Sequence, residues 1–246
     1  MKKLLLHCCC APCANQPLEF LAEAGYNLQI YYANSNIQPP AEYELRCATL
    51  QRYADMRGLA MTESAYRPVA WLEAVSAAAG VWPLHSTNSA DSKATVEHFN
   101  SDNLDNLDKR RERCRLCYRF RFQELAAAAQ ARQIPLIAST LAISPYQFQD
   151  IMAEELARAA AAYDREFLFE DWRPWYRRGQ ERARELGFYR QNYCGCEFSR
   201  QEAELEREAR RVERRQGRAQ TSDVGTVQPG TSRVNQPAAA SGAGED

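Results

Sequence analysis

Short apolar segments alternate with helical segments along the first 140 residues of the chain. Residues 3–10 form the first apolar run, and a helical pattern over residues 16–24 ends at Gly25. Residues 27–33 predict a second strand, residues 43–56 a second helix and residues 59–65 a third strand. A helix that continues to Arg132 leads into another buried strand over residues 135–140. This alternation predicts an α/β fold with a mostly parallel sheet and helices on both faces.

The loops that carry the most reactive side chains follow predicted strands. They span residues 7–13, 34–39 and 140–147. In parallel sheets, ligands bind beyond the carboxyl ends of the strands, so we expect these loops to meet at one rim. Residues 148–199 look helical with interspersed aromatic residues, and we expect them to pack beside that rim.

Two stretches look peripheral to this core. Residues 77–108 have the polar, low-complexity composition of a surface insertion. Residues 201–215 predict a highly charged helix, and residues 216–246 predict a disordered tail without hydrophobic anchors. The expected organisation is therefore one α/β domain over residues 1–200, followed by a charged helix and a tail.

Composition and hydropathy exclude a membrane-spanning protein. The 246 residues are 45% hydrophobic with a net charge of −1, and no apolar run approaches the roughly 18 residues that cross a bilayer. The start imitates a signal peptide, but its apolar core stops at His7, short of the roughly 7 to 15 residues that export requires. We therefore expect a cytoplasmic protein, where clustered thiols indicate metal binding or redox catalysis before a disulfide scaffold.

Eight of the nine cysteines fall into three sequence groups. The groups are Cys8, Cys9, Cys10 and Cys13; Cys114 and Cys117; and Cys194 and Cys196. Because crowded free thiols are readily oxidised, such groups favour a metal or redox role. The remaining Cys47 stands beside apolar residues, and we interpret it as a small buried hydrophobe.

The cysteine spacings suggest thiolates without identifying a metal. Cys114 and Cys117 form C-x-x-C where a helix over residues 118–132 is predicted to begin, and a helix N-terminus lowers thiol pKa values. Side chains alternate along a strand, so at least one cysteine of residues 8–10 is expected to be structural. Four thiolates suit zinc or a [4Fe-4S] cluster. The C-x-C of residues 194–196 can close a disulfide or chelate a metal, and Gly195 permits both.

Charge is unevenly spread along the chain. Residues 109–122 contain seven basic residues and one acid, a local charge of +6. Residues 171–193 mix arginines with tryptophans, tyrosines and a phenylalanine. Proteins bind single-stranded RNA loops with arginines that contact the phosphates and with aromatic side chains that stack on the unstacked bases. The alternative is a solvated helix whose aromatic side chains face the core.

Six stretches match the pattern of a known family. They are His7-Cys8-Cys9-Cys10-Ala11-Pro12-Cys13, residues 32–37, residues 42–46, Cys114-Arg115-Leu116-Cys117-Tyr118, residues 139–147 and residues 187–196. On these motifs, residues 3–199 outside the insertion resemble the epoxyqueuosine reductases of the QueH type, also called DUF208 proteins. The chain departs from the family pattern in its longer polar insertion and in Ser35, where proline is usual.

The resemblance implies a fold, a reaction and a set of ligands. It implies a Rossmann-like fold of the adenine-nucleotide hydrolase class and reduction of epoxyqueuosine to queuosine and water at the wobble position of tRNAs for His, Asp, Asn and Tyr. It also implies a [4Fe-4S] cluster beside a further iron. Carried over, the cluster ligands are Cys9, Cys10, Cys114 and Cys117. The ligands of the adjacent iron are Cys13, Cys194 and Cys196. In the alternative, Cys194 and Cys196 form a redox-active disulfide. Cys8 is structural.

No G-x-G-x-x-G fingerprint appears, so we expect the electrons to come from metal or thiol chemistry, with an unidentified donor. Tyr43, Arg46, Tyr146 and Tyr193 are candidates for supplying a proton or orienting the nucleoside. One rival, an ATP-using tRNA thiolase, needs a Ser-Gly-Gly-x-Asp-Ser loop where this chain has cysteines. The other is a zinc-stabilised RNA-binding module without redox activity, which predicts zinc without sulfide and folding that fails under chelation.

Overall fold

The computed structural model of the chain describes the backbone of residues 1–79 and 107–223, and the side chains of residues 1–76 and 107–215. The chain divides into two compact units, residues 1–204 and residues 205–246. Most of the predicted insertion and the tail beyond residue 223 lie outside the described residues. The described part of the second unit is helical.

Five parallel strands form one sheet in the order β3-β2-β1-β4-β5. The strands are β1 (Lys3–His7), β2 (Asn27–Tyr32), β3 (Ala60–Glu63), β4 (Leu136–Ser139) and β5 (Glu166–Phe167). In the centre of the sheet, Leu5 pairs with Gln29 of β2 and with Ile137 of β4. The predicted α/β fold with a parallel sheet is confirmed.

Seven α-helices connect and follow the strands in the described part of the chain. They are α1 (Ala11–Glu23), α2 (Pro40–Met56), α3 (Pro68–Ala79), α4 (Leu107–Ala131), α5 (Gln149–Ala162), α6 (Tyr176–Glu185) and α7 (Glu197–Asp223). Short 3₁₀ helices span Thr140–Ile143 and Arg173–Trp175. Within the described ranges, none of the helices is both long enough and apolar enough to cross a bilayer.

Helix α1 begins earlier than the sequence pattern indicates, at Ala11 rather than near Gln16. Pro12 lies in its first turn, where the missing N–H costs no hydrogen bond and the fixed φ suits the helix. Beyond the helix, Gly25 has a φ of +81°, a conformation that glycine adopts without strain. The early start places Cys13 on the first turn of α1.

Two further boundaries differ from the sequence-based expectation. Residues 148–199 are not entirely helical, because they contain β5, an exposed two-residue edge strand that is too short to show a periodic pattern. Helix α7 is longer than the predicted 201–215, since it begins at Glu197 and continues to Asp223.

The sheet places its ligand-binding edge beside β1. Strand β1 lies between β2 and β4, and Leu4, Leu5 and Leu6 are fully buried because both faces of this central strand are covered. The chain order reverses between β1 and β4, and such a reversal opens a crevice at the carboxyl ends of the two strands. The residues that follow β1 and β4 therefore flank this crevice.

Replacing Leu5 by alanine is expected to lower the free energy of unfolding by about 2–5 kcal/mol, because it removes buried methyl groups from the centre of the core. Urea unfolding followed by circular dichroism measures the change. The control is Leu45→Ala on α2, where the leucine is exposed and the change is expected to cost no more than about 0.5 kcal/mol. Equal losses in the two variants would contradict the position assigned to β1.

Candidate functional site

Three cysteine sulfurs converge where the chain leaves β1. The backbone turns after His7, Cys10 precedes the first residue of α1, and Cys13 follows within its first turn. The sulfurs of Cys9, Cys10 and Cys13 all lie within 4.8 Å of one another, and those of Cys9 and Cys10 are 3.7 Å apart. All three residues are buried. We call these residues the first cysteine group.

The first cysteine group favours one thiolate. Hydrogen bonds from the thiols of Cys10 and Cys13 hold the pKa of Cys9 well below its usual range, in spite of burial. Burial raises the pKa of Cys10, and hydrogen bonding with Cys10 and Cys9 raises the pKa of Cys13. Cys9 is therefore the cysteine of this group whose thiol loses its proton most readily.

Two other cysteines have the surroundings of structural residues. The sulfur-bearing side chain of Cys8 is fully buried, burial raises its pKa, and Asn34 donates to its backbone carbonyl at 2.9 Å. Cys47 is half-buried on α2, and burial together with Glu63 raises its pKa to about 12. Both residues remain neutral thiols at pH 7.

A second cysteine group consists of Cys114, Cys117, Cys194 and Cys196. These four residues interact electrostatically with one another. Cys117 and Cys196 also share a small apolar cluster with Trp71 and Phe198. The structure thus brings the C-x-x-C and the C-x-C together, although they are far apart in sequence. All nine cysteines are unpaired.

The C-x-x-C does not lie at a helix N-terminus, so that expectation was wrong. Helix α4 begins at Leu107, which places Cys114 and Cys117 two to three turns inside it rather than before a helix starting at Tyr118. The spacing of three residues puts both sulfurs on one face of the helix. The helix dipole acts only near the first turn, so it does not act on these thiols. Burial instead raises the pKa of Cys114.

Arg46 and Gly195 fix the C-x-C segment. Arg46 is 1% exposed on α2 and donates to the carbonyls of Cys194, at 2.8 Å, and Tyr193, at 3.2 Å. Gly195 has a φ of +141°, and a Cβ there would lie 2.9 Å from Ile37 and 3.3 Å from Arg46. A side chain at position 195 therefore conflicts with both the backbone conformation and the packing.

Two glutamines that sequence reasoning left without a role donate to cysteine sulfurs. Gln191 donates to Cys10 at 2.9 Å and, more weakly, to Cys13 at 3.5 Å. Gln147 donates to Cys194 at 3.4 Å, and its amide oxygen accepts from the buried hydroxyl of Tyr118 at 2.7 Å. N–H donors to sulfur are the contacts that tune thiolate ligands. Only their positions inside matching motifs could have drawn attention to them.

Acidic partners neutralise most of the basic run on α4. Arg111 pairs with Asp150, Arg113 with Glu202 at 2.5 Å, and Arg115 with Glu154 at 2.6 Å. Arg113 and Arg121 are buried. Most of the basic residues behind the local charge of +6 are therefore ion-paired with carboxylates of α5 and α7. This pairing favours a structural role for this face of α4 over a free phosphate-binding surface.

Glu155 on α5 is the centre of this pairing. Its fully buried carboxylate accepts ion pairs from Arg119 at 2.9 Å, Arg115 at 3.2 Å and Arg158 at 3.4 Å. Burial opposes ionisation, but the hydrogen bonds from Arg119 and Arg115 outweigh it, and the pKa of Glu155 is lowered. A carboxyl group whose pKa is lower in the folded state than in the unfolded state stabilises the fold. This stabilisation is complete at pH values above the unfolded-state pKa, and it is lost as the pH falls through the folded-state pKa.

Glu155→Gln is expected to lower the free energy of unfolding at pH 7 by about 1.5–3 kcal/mol, the contribution typical of hydrogen bonds to a charged group. The difference from the wild type should shrink as the pH falls below about 4.5, the unfolded pKa of the carboxyl. Urea unfolding at a series of pH values measures it. The control is Glu154→Gln, whose exposed carboxylate pairs with Arg115 and contributes about 1 kcal/mol or less. If the free energies of unfolding of Glu155→Gln and the wild type differ by the same amount at pH 3 and at pH 7, the stabilisation does not come from the ionised carboxylate.

The aromatic residues of positions 171–193 divide between the core and the surface. Trp172 and Phe188 are buried, whereas Trp175 is exposed. Tyr176 lies at the first cysteine group, with which it interacts electrostatically, and packs edge-on against Tyr146 with ring centroids 6.2 Å apart. Tyr146 is 69% exposed. An exposed aromatic ring therefore lies next to the aromatic neighbour of Cys10 and Cys13.

The donor set of the site fits a metal that prefers sulfur. In the described part of the chain, the first cysteine group is the one set of three or more His, Cys, Asp or Glu side chains whose ligand atoms lie this close. Thiolates select zinc, iron–sulfur clusters and other soft or borderline metals. Four more sulfurs of the second cysteine group lie in the same unit of the chain.

Comparisons with known proteins identify the family of this chain. A family profile described as "Epoxyqueuosine reductase QueH" matches residues 4–81 and 79–202. A protein of that name from Dehalococcoides mccartyi is 30% identical over 204 residues, 81% of this chain and 93% of that protein. Others from Histophilus somni and Thermotoga maritima are 28% and 27% identical, covering 84% and 81% of this chain and 76% and 91% of those proteins. Because the match runs through almost all of the first unit, cysteine groups included, this chain belongs to the epoxyqueuosine reductase QueH family of oxidoreductases.

Proposed function

We propose that this chain reduces the epoxide of epoxyqueuosine in tRNA to give queuosine. The reaction takes up two electrons and two protons, and the epoxide oxygen leaves as water. The proposed substrates are the tRNAs for His, Asp, Asn and Tyr, and the electron donor is unspecified. The observation that carries the proposal is the first cysteine group, three buried sulfurs at the crevice between β1 and β4 in a chain of this family.

The cysteines suit iron–sulfur ligation. We propose that Cys9, Cys10, Cys114 and Cys117 hold a [4Fe-4S] cluster, and that Cys13, Cys194 and Cys196 hold a further iron. Alternatively, Cys194 and Cys196 cycle between thiols and a disulfide. This division takes ligands from both cysteine groups, and it is supported by Arg121, whose charge interacts with sulfurs of both groups. Once bound, such a centre supplies single electrons and a Lewis acid.

Side chains around the cysteines have distinct tasks in this proposal. Gln191 and Gln147 orient sulfurs through their amide N–H groups. Among the four candidates for proton donation or orientation, Tyr43 donates to Glu63 at 2.7 Å, Tyr193 donates to the carbonyl of Gln38, and Arg46 pairs with Glu42. Tyr146 is the exposed one, and we assign it to stacking against a base of the RNA.

The test is anaerobic purification of the full chain, followed by iron, acid-labile sulfide and zinc analysis and by an assay on tRNA that carries epoxyqueuosine. Iron in excess of sulfide, with queuosine formed when a chemical reductant is added, is the expected result. Equal iron and sulfide together with activity would favour the disulfide alternative at Cys194 and Cys196.

A zinc-stabilised RNA-binding module is the second candidate function. Its support is the thiol donor set, which also suits zinc. Stoichiometric zinc without sulfide, no queuosine formation and unfolding under chelation would establish this alternative and overturn the reductase.

A further inference from the structure

Arg121 is a buried cation that has no carboxylate partner among the described residues. Its side chain leaves α4 and is 1% exposed. The guanidinium donates to the side-chain oxygen of Asn34 and to the carbonyl of Ala33 at 3.4 Å, and it lies 3.3 Å from Nε2 of His7. These partners are an amide oxygen, a backbone carbonyl and an imidazole ring, and none of them is an anion. In the described ranges, no acidic side chain is ion-paired with Arg121.

The other arginines in this part of α4 differ in this respect. Arg113, Arg115 and Arg119 each contact at least one carboxylate. Arginine keeps its charge in proteins, and a buried charge without a counter-charge is strongly destabilising. Within the described part of the chain, the counter-charge of Arg121 must therefore come from groups other than aspartate and glutamate.

Among the described residues, the side chains that interact with Arg121 and can become anions are cysteines. Its charge interacts with the sulfurs of Cys117, Cys9 and Cys194. One of these belongs to the first cysteine group and two belong to the second, so the charge of Arg121 acts on both groups. Asn34 also donates to the carbonyl of Cys8, which links the loop after β2, the loop after β1 and Arg121 in one hydrogen-bonded unit.

We propose that Arg121 is a positioning residue that supplies the counter-charge for the thiolate-ligated centre and holds the two cysteine groups around it. This inference rests on the proposed function, namely that the cysteines hold an iron–sulfur centre. Adding an electron makes such a centre more negative, and a nearby fixed cation stabilises the more negative state. Arg121 therefore raises the reduction potential of the centre, in the way that charge and hydrogen bonds around a cluster set its potential.

The test compares Arg121→Gln with the wild-type holoprotein, both purified anaerobically. The midpoint potential of the cluster is measured by a dye-mediated titration followed by electron paramagnetic resonance, and iron and sulfide are determined per chain. Arg121→Gln is expected to have a more negative midpoint potential and a lower iron and sulfide content. Arg121→Lys, which retains the charge, is expected to have a potential closer to that of the wild type.

The matched control is Arg119→Gln, two residues away on the same helix. Arg119 pairs with Glu155 and is partly exposed, so its loss is expected to leave the potential unchanged. A purely structural Arg121 would change stability but not the potential of the clusters that remain. An Arg121→Gln protein with the wild-type potential would therefore overturn the inference.

Further outcomes distinguish a failure of the role assigned to Arg121 from a failure of the proposed reductase function. If Arg121→Gln does not fold, Arg121→Lys decides, because a folded lysine variant that fails to bind iron would show that charge is not what matters. A wild-type protein that contains iron and sulfide while the Arg121 variants match it overturns only the role of Arg121. A wild-type protein without iron and sulfide overturns the proposed function and this inference together.

Discussion

Cys9→Ala is expected to remove the iron and sulfide of the purified protein and to lower its epoxyqueuosine reductase activity by more than about 100-fold. Even an outer-shell partner of a metal ligand contributes roughly 10- to 100-fold to metal affinity or activity, and a ligand contributes more. Hydrogen bonds from the thiols of Cys10 and Cys13 hold the pKa of Cys9 well below its usual range, and a thiol that loses its proton readily is the better metal ligand. The measurements are metal and sulfide analysis and queuosine formation on modified tRNA.

Two cysteine controls make this result specific. Cys47→Ala removes a half-buried thiol from α2, and it is expected to leave iron content and activity at wild-type levels. Cys8→Ala removes a fully buried sulfur one residue from Cys9, and it is expected to lower stability while the metal is retained. A Cys9→Ala protein with full iron and sulfide would refute the ligand role of Cys9.

The second large effect is expected at Arg46. Its guanidinium pairs with Glu42 at 2.7 Å and holds the backbone of Tyr193 and Cys194. Arg46→Met is expected to lower the free energy of unfolding by about 3–5 kcal/mol, because the mostly buried carboxylate of Glu42 loses its ionic partner and two backbone carbonyls lose a buried donor. Urea unfolding under anaerobic conditions measures the loss.

Arg46→Met is also expected to affect the cysteines. Without the two donated hydrogen bonds, the segment that carries Cys194 and Cys196 is no longer fixed to α2, so modification of Cys194 by a thiol reagent should become faster. The control is Arg52→Met on the same helix, where an exposed arginine donates to the carbonyl of Leu186 and the loss is about 1 kcal/mol or less. Similar stability losses at positions 46 and 52 would contradict the buried ion pair.

Local pattern determined four of the five strands described and most of the described helices. Strand β1 is three consecutive buried leucines between polar ends, and such a run is visible without any tertiary information. The start of α4 was missed because arginine and cysteine positions at 109–117 show no apolar period, and the acids that stabilise this helix come from α5 and α7. Strand β5 was missed because only its pairing with β4 defines it.

The candidate site divides in the same way. Sequence alone determined the residue types, since the clustered cysteines and the motifs around them identify thiol chemistry and the family. Only the tertiary structure decided that Cys13 joins Cys9 and Cys10, that the C-x-x-C meets the C-x-C, and that the charge of Arg121 acts on both groups. A sequence pattern records which side chains are available, whereas burial, counter-charges and distances between segments far apart in the chain arise only when the strands pair and the helices pack.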